Sequence, residues 1–372
     1  MRIAFVVHDY NRTQGHSRYV VELAERLAAD HDVHVFANRF EDLPRTIRGH
    51  HVPAIRASML LTIFSFIVPA TIMVGSDFDI VHAQGLSMVG ANIVTAHISN
   101  AAWLEGRKQL EGNQLSWRER LFGALVIPPE RWILRDPRAT VIAISRALKG
   151  DLARLYGRTG HTAVVPHGVD GRQFHTGVRA MFRDTVRAEL GLAANQVLFL
   201  YVGDLRKGFT AAIRALRDVP GAQLAGVSRT APEPFRTIAA DCGVAARVHL
   251  LPPTDHVERY YAASDAFVLP TPYDAFGLVI TEAMACGLPV ITTPLAGASE
   301  LLTPGVDGLL VSSPADIDGL AAAMRLLATN TPLRTAMGAA AAELMLAHTW
   351  DRVADRTLEV YRDHLDRQGK PA

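Results

Sequence analysis

The chain has 372 residues, a formal net charge of +1 from 38 Lys and Arg against 37 Asp and Glu, and 49% hydrophobic against 20% charged residues. Two ordinary α/β domains fit that length, the apolar fraction supports buried cores rather than disorder, and the charge balance lacks the basic excess expected of a nucleic-acid partner. Cys242 and Cys286 stand far apart and outside any CxxC spacing, which argues against a disulfide scaffold or thiolate zinc site and fits a reducing cytosol.

Residues 3–8 form an apolar run, too short for a signal peptide, that reads as a first buried strand. A loop over 9–17 follows, with Gly15 near its end, and then a helix over 18–30 in which Val20, Leu23, Ala24 and Leu27 recur at helical spacing. A second strand is expected at 34–37. The run 59–75, MLLTIFSFIVPATIMVG, sits near the lower length limit for a membrane span, and Pro69 with its hydroxyl residues weakens it further. It reads first as a buried or half-exposed helix, second as a surface resting on a bilayer, and last as a span. Strands are expected at 80–83, 93–97 and 140–144. The stretch 164–170, VVPHGVD, breaks both periodicities and marks the domain boundary. Beyond it, strands at 196–202, 222–227, 247–250, 266–270 and 289–293 alternate with helical segments at 209–217, 321–346 and 353–365. Alternation of this kind predicts parallel βαβ units with helices on both faces of each sheet.

Two segments concentrate the chemistry. In residues 270–291, PTPYDAFGLVITEAMACGLPVI, a buried strand ends at Pro270, a loop carries Asp274, and a helix starts near Gly277. The unpaired N–H groups and positive dipole end of such a helix suit a diphosphate. Asp274 and Glu282, eight positions apart, can border one pocket from different sides, and carboxylates accept hydrogen bonds from sugar and ribose hydroxyls. In residues 201–209, YVGDLRKGF, a strand runs into a Gly-flanked turn that presents Arg206 and Lys207 just before a helix. Cations placed there can neutralise charge building on a diphosphate leaving group.

The 270–291 segment resembles the retaining GT-B glycosyltransferases of family 4, the group 1 glycosyl transferases, whose pattern is Glu-x7-Glu ahead of Ala-Met-Ala-x-Gly-x-Pro-Val. The resemblance implies that Glu282 holds the ribose, Asp274 contacts the transferred sugar, and the backbone of Phe276, Gly277 and Leu278 meets the phosphates. Asp274 stands where Glu is usual. Lys207 matches the family's Lys-Gly; Asp204 occupies the place of its arginine, and Arg206 is the candidate to replace that arginine in part. Gly15 keeps one glycine of the family's Gly-Gly loop, with Gln14 in place of the other. His97 ends Thr95-Ala96-His97, similar to the family's Thr-x-His, whose histidine faces the transferred sugar; packing is the expected role of His82.

The implied fold is α/β: two Rossmann-like domains with parallel sheets facing an interdomain cleft that closes over the donor. Residues 1–165 form the acceptor-side domain, with the last helix, 350–372, packing back on it, and residues 166–349 bind the nucleotide-sugar. The implied activity is transfer of a hexosyl group from a nucleotide-diphosphate sugar to a glycan, lipid or small-molecule acceptor, with retention and without metal or other cofactor. The departures at Asp204 and Asp274 leave open the alternative of a clamp that binds a nucleotide-sugar and transfers nothing. Location in the cytoplasm is expected, with contact at the inner face of the membrane left open by 59–75. Asp77-Phe78-Asp79 reads as a turn rather than a metal–nucleotide motif, and Asp316 and Asp318 read as helix-start carboxylates. The Arg- and Trp-containing region 103–138 reads as a solvated helix face ahead of an acceptor or lipid-headgroup surface.

Overall fold

The computed structural model of the chain describes residues 1–12, 15–110 and 114–369. The contacts divide it into two compact units, Met1–Gly168 with the C-terminal segment from Trp350, and Val169–Thr349.

The first unit is built on a parallel sheet of seven strands: β1 (Arg2–Val6), β2 (Asp32–Ala37), β3 (Arg48–His51), β4 (Ile80–Gln84), β5 (Ile93–Ala96), β6 (Thr140–Ala143) and β7 (Thr162–Val164). Their spatial order is β3-β2-β1-β4-β5-β6-β7. Ile3 on β1 lies opposite Val33 on one side and Ile80 on the other, so the Val- and Ile-rich runs of the central strands meet in one buried layer. The helix Trp350–Arg367 belongs to this unit. His82 Nδ1 shares a 2.6 Å hydrogen bond with Tyr361 Oη, and His364 Nδ1 lies 2.9 Å from Thr140 Oγ1. His82 also bonds Thr95 Oγ1 at 2.6 Å, so this buried imidazole is satisfied within the core.

The second unit carries six parallel strands: β8 (Leu198–Val202), β9 (Gln223–Val227), β10 (Val248–Leu251), β11 (Ala266–Leu269), β12 (Val290–Thr292) and β13 (Gly308–Leu310), in the order β10-β9-β8-β11-β12-β13. The helix Val178–Glu189 is fixed to this sheet by charge. Arg179, Arg183 and Arg187, four positions apart on one face, all reach the buried Asp265, which also accepts the Leu198 N–H at 2.9 Å.

In both sheets the strand order reverses next to the first strand, between β1 and β4 and between β8 and β11. Such reversal points open a crevice at the carboxyl ends of the strands where ligands bind in α/β folds. The sequence pattern missed β3, β7 and β13, all edge strands of three or four residues with little apolar alternation. The first loop also differs from expectation. Asp9–Tyr10 pairs with Arg39–Phe40, and the helix begins at Gly15 rather than Arg18 because its polar first turn carries no periodic signal. Thr13 and Gln14 lie outside the described residues. Helix Met59–Val74 buries Phe66, Ala70 and Val74 and leaves its other side exposed. Among the described residues, no helix is long and apolar enough to cross a membrane.

Candidate functional site

In the second unit, β8 ends in a short turn that carries Lys207. Gly203 adopts φ +128°, and Asp204 caps the short 3-10 turn Leu205–Lys207 by accepting the Arg206 N–H at 3.0 Å. The same carboxylate takes the Arg206 guanidinium at 2.7–3.1 Å and the Thr230 hydroxyl at 3.0 Å. Gly208 follows at φ +113°. A Cβ there would stand 2.1 Å from the Pro270 carbonyl oxygen, so only glycine lets this turn lie against the end of β11. That close approach brings Lys207 Nζ to 3.0 Å from Asp274 Oδ2. The neighbouring carboxylate holds the ammonium above the usual lysine range, against the opposing effect of burial.

The loop bearing Asp274 is pinned from both sides. Its backbone N–H donates to Leu295 O at 3.0 Å, its carbonyl accepts from Gly297 N at 2.9 Å, and Phe276 O accepts from Ala298 N at 2.6 Å. Asp274 Oδ1 additionally accepts the Phe276 N–H at 3.3 Å. Gly277 then turns at φ +93°, and helix Leu278–Ala285 starts without a side-chain cap. Its first N–H groups therefore have no acceptor within the helix, beside the carboxylate–ammonium pair that bridges the two loops. Glu282 is buried one turn further on, where Oε2 accepts the Tyr261 hydroxyl at 3.1 Å.

In the first unit, a cavity of about 570 Å³ opens at the carboxyl ends of β1, β4 and β5. His8, Gln84 and His97 line its polar floor. Gln84 Oε1 accepts from His97 Nε2 at 2.8 Å, which leaves the lone pair on Nδ1. Burial holds His97 well below the usual imidazole range and lowers His8 to about 4, so both rings are neutral at physiological pH. His97 Nδ1, Gln84 Nε2 and His8 Nε2 are buried with no hydrogen-bond partner among the described residues. Arg56 forms a two-point pair with Asp9 at 2.5 and 3.1 Å. Glu130, also in the lining, takes Asn100 Nδ2 at 2.8 Å and the Tyr156 hydroxyl; burial pushes its carboxyl up to about 7. Among the described residues, no cluster of three or more His, Cys, Asp or Glu side chains is arranged to hold a metal ion.

Two family profiles match the chain, one described as "Glycosyltransferase Family 4" over residues 13–172 and one as "Glycosyl transferases group 1" over 182–344. The chain belongs to glycosyltransferase family 4. Its relatives include D-inositol 3-phosphate glycosyltransferases of Mycobacterium marinum, 33% identical over 61% of this chain and 48% of the relative, and of Xylanimonas cellulosilytica, 33% identical over 61% and 58%. The chain thus spans about half the length of the curated relatives it matches. Among solved structures, WaaG, a glycosyltransferase involved in lipopolysaccharide biosynthesis, superposes with a TM-score of 0.80 at 21% identity, covering 96% of this chain and 99% of that one. Anabaena Alr3699/HepE in complex with UDP-glucose gives a TM-score of 0.73 at 17% identity, covering 98% and 100%. At these identities the likeness establishes the fold, which is GT-B.

For this family 4 chain, the structure gathers Lys207, Asp274, Phe276, Gly277, Leu278 and Glu282 at one sheet edge of the second unit. Arg206 lies on the same turn with its guanidinium on Asp204. His97 sits on the floor of the first-unit cavity, and Gly15 opens the helix whose next residue, His16, lines it. Sequence reasoning missed His8, Arg56, Gln84 and Glu130. Only His8 and Gln84 carried a legible signal, since each closes a strand at the edge where ligands bind.

Proposed function

We propose that the chain transfers a hexosyl group from a nucleoside-diphosphate sugar to an acceptor hydroxyl, with retention of anomeric configuration and without a metal ion. The observation that carries this reading is the Lys207–Asp274 pair beside the uncapped start of helix Leu278–Ala285, with Glu282 buried one turn in. In this reading Glu282 accepts the ribose hydroxyls, Asp274 contacts the sugar, and the amides of Phe276, Gly277 and Leu278 meet the diphosphate. Lys207 stabilises the charge that develops as the bond between the anomeric carbon and the phosphate oxygen breaks. The acceptor oxygen bonds that carbon, and its proton passes to the departing phosphate. His97 faces the transferred sugar, and Gly15 lets the first loop approach it.

The bound UDP-glucose of the HepE structure supports a nucleotide-sugar donor. Arg206 adds positive charge on the same turn, tempered by Asp204. The reading is tested by incubating the protein with UDP-glucose alone, then with acceptor, in the presence of EDTA. Slow release of glucose without acceptor, and an α-linked product by NMR with it, are expected. A donor that stays intact under both conditions, although bound, would mark a nucleotide-sugar clamp instead.

A further inference from the structure

Two helices that wall the first-unit cavity carry apolar side chains on their outer sides as well. Met59, Thr62 and Ile63 of helix Met59–Val74 line the cavity, as do Phe122, Val126 and Glu130 of helix Trp117–Arg135. The first helix contains no charged residue, and Leu61, Phe64, Val68 and Ile72 form an exposed row at helical spacing, with Val68 61% and Ile72 75% exposed. Its opposite row, Phe66, Ala70 and Val74, already fills the core, so the outer row is surplus to folding. On the second helix Trp117, Leu121, Leu125 and Trp132 are exposed, the two tryptophans by 69% and 63%. Contiguous apolar exposure of this kind marks an interaction surface rather than ordinary scatter.

Charge identifies the partner. Every exposed charged residue of helix Trp117–Arg135 is an arginine: Arg118, Arg120, Arg131 and Arg135. Its two glutamates are withdrawn, Glu119 onto Arg107 at 3.0 Å and Glu130 into the core. Tryptophans about 22 Å apart along one helix at 1.5 Å per residue, aliphatic residues between them and arginines alongside make the pattern of a helix lying in a lipid headgroup layer. We infer that the first unit docks on an anionic lipid surface through the outer sides of helices Met59–Val74 and Trp117–Arg135, so that the cavity between their walls takes a lipid-borne acceptor.

The cavity's own chemistry agrees. Its described lining offers one cation at neutral pH, Arg56, and Asp9 already pairs with it. The unpartnered atoms of His8, Gln84 and His97 are neutral donors and acceptors, suited to hydroxyls rather than to a free phosphate monoester. That the cavity holds the acceptor rests on the function proposed above; the docking itself does not.

The test is vesicle flotation of the full chain with phosphatidylcholine alone and with about a quarter phosphatidylglycerol. Wild type should float with the anionic vesicles, its tryptophan emission shifting to the blue and its bound fraction falling with salt. The pairs Trp117→Ala/Trp132→Ala and Phe64→Asp/Val68→Asp should each lower partitioning by at least about tenfold. Because these side chains are exposed, both variants should keep the wild-type melting temperature and the wild-type thermal shift with UDP-glucose. Wild type that stays at the bottom of both gradients, alone or self-associated, overturns the docking, as do folded variants that float like wild type. A donor that gives no thermal shift with wild type would count against the proposed function and leave the flotation result standing by itself.

Discussion

Replacing Lys207 by alanine removes the ammonium that the Gly208 close approach positions 3.0 Å from Asp274. Two unit charges about 4 Å apart are worth about 4 kcal/mol at an effective dielectric of about 20. The ground-state diphosphate already collects part of this, and a side chain 36% exposed admits screening solvent. What remains for the departing phosphate is about 1.4–2.7 kcal/mol, or a factor of about 10–10² in kcat. The assay is nucleoside-diphosphate release at saturating donor, with melting temperature as the check on folding. Lys207→Arg, which keeps the charge, should retain more turnover than the alanine variant. A folded Lys207→Ala protein with kcat within about threefold of wild type would refute the role.

Glu282→Ala should raise the donor KM by about 10–100-fold, the loss of hydrogen bonds to a charged acceptor worth about 1.5–3 kcal/mol; an unchanged KM would remove Glu282 from the donor site. Gly208→Ala places a Cβ against a backbone oxygen at a φ of +113° and should cost about 2–4 kcal/mol in urea unfolding, whereas an unmoved midpoint would show that the turn relaxes freely. Glu130 has its folded pKa raised to about 7 by burial, so the stability it contributes is fully present below the unfolded value of about 4.3 and is lost as pH rises through about 7. Relative to Glu130→Gln, wild type should therefore lose up to about 3 kcal/mol between pH 4.5 and 8. Parallel stability–pH curves for the two proteins would contradict this.

The parts of the fold that were legible in sequence are those that bury apolar runs. Strands β1 and β11 announced themselves because both faces are covered and their sequences are nearly all apolar. Edge strand β3, Arg48–His51, could not, since a half-exposed RGHH carries no pattern. In the second-unit site, Asp204 and Gly277 set the turn and the helix start within a few residues of where they lie, whereas Gly208 acts against Pro270 and Asp274 against Lys207, across neighbouring strand ends. In the cavity of the first unit, Gln84 likewise matters because β4 lies next to β5 and so faces His97, a relation fixed by sheet order and not by spacing. Glu130 sits inside an arginine-flanked helix that reads as solvated, and only the packing around Asn100 and Tyr156 shows it buried. Asp204 is the instructive departure. In place of a cation the chain has a cap that ties down Arg206 and Thr230 and so sets the turn carrying Lys207.

In the proposed function, the second unit binds a nucleoside-diphosphate sugar through Glu282 and Lys207. A thermal-shift screen of UDP-, GDP-, ADP- and TDP-sugars tests it most directly, because a ligand of the native state stabilises it by about 2.7 kcal/mol at about 100 times its Kd. One nucleotide class should raise the melting temperature saturably, with the rise lost in Glu282→Ala and reduced in Lys207→Ala. No rise with any of the four, or a rise that both variants retain in full, would contradict the account.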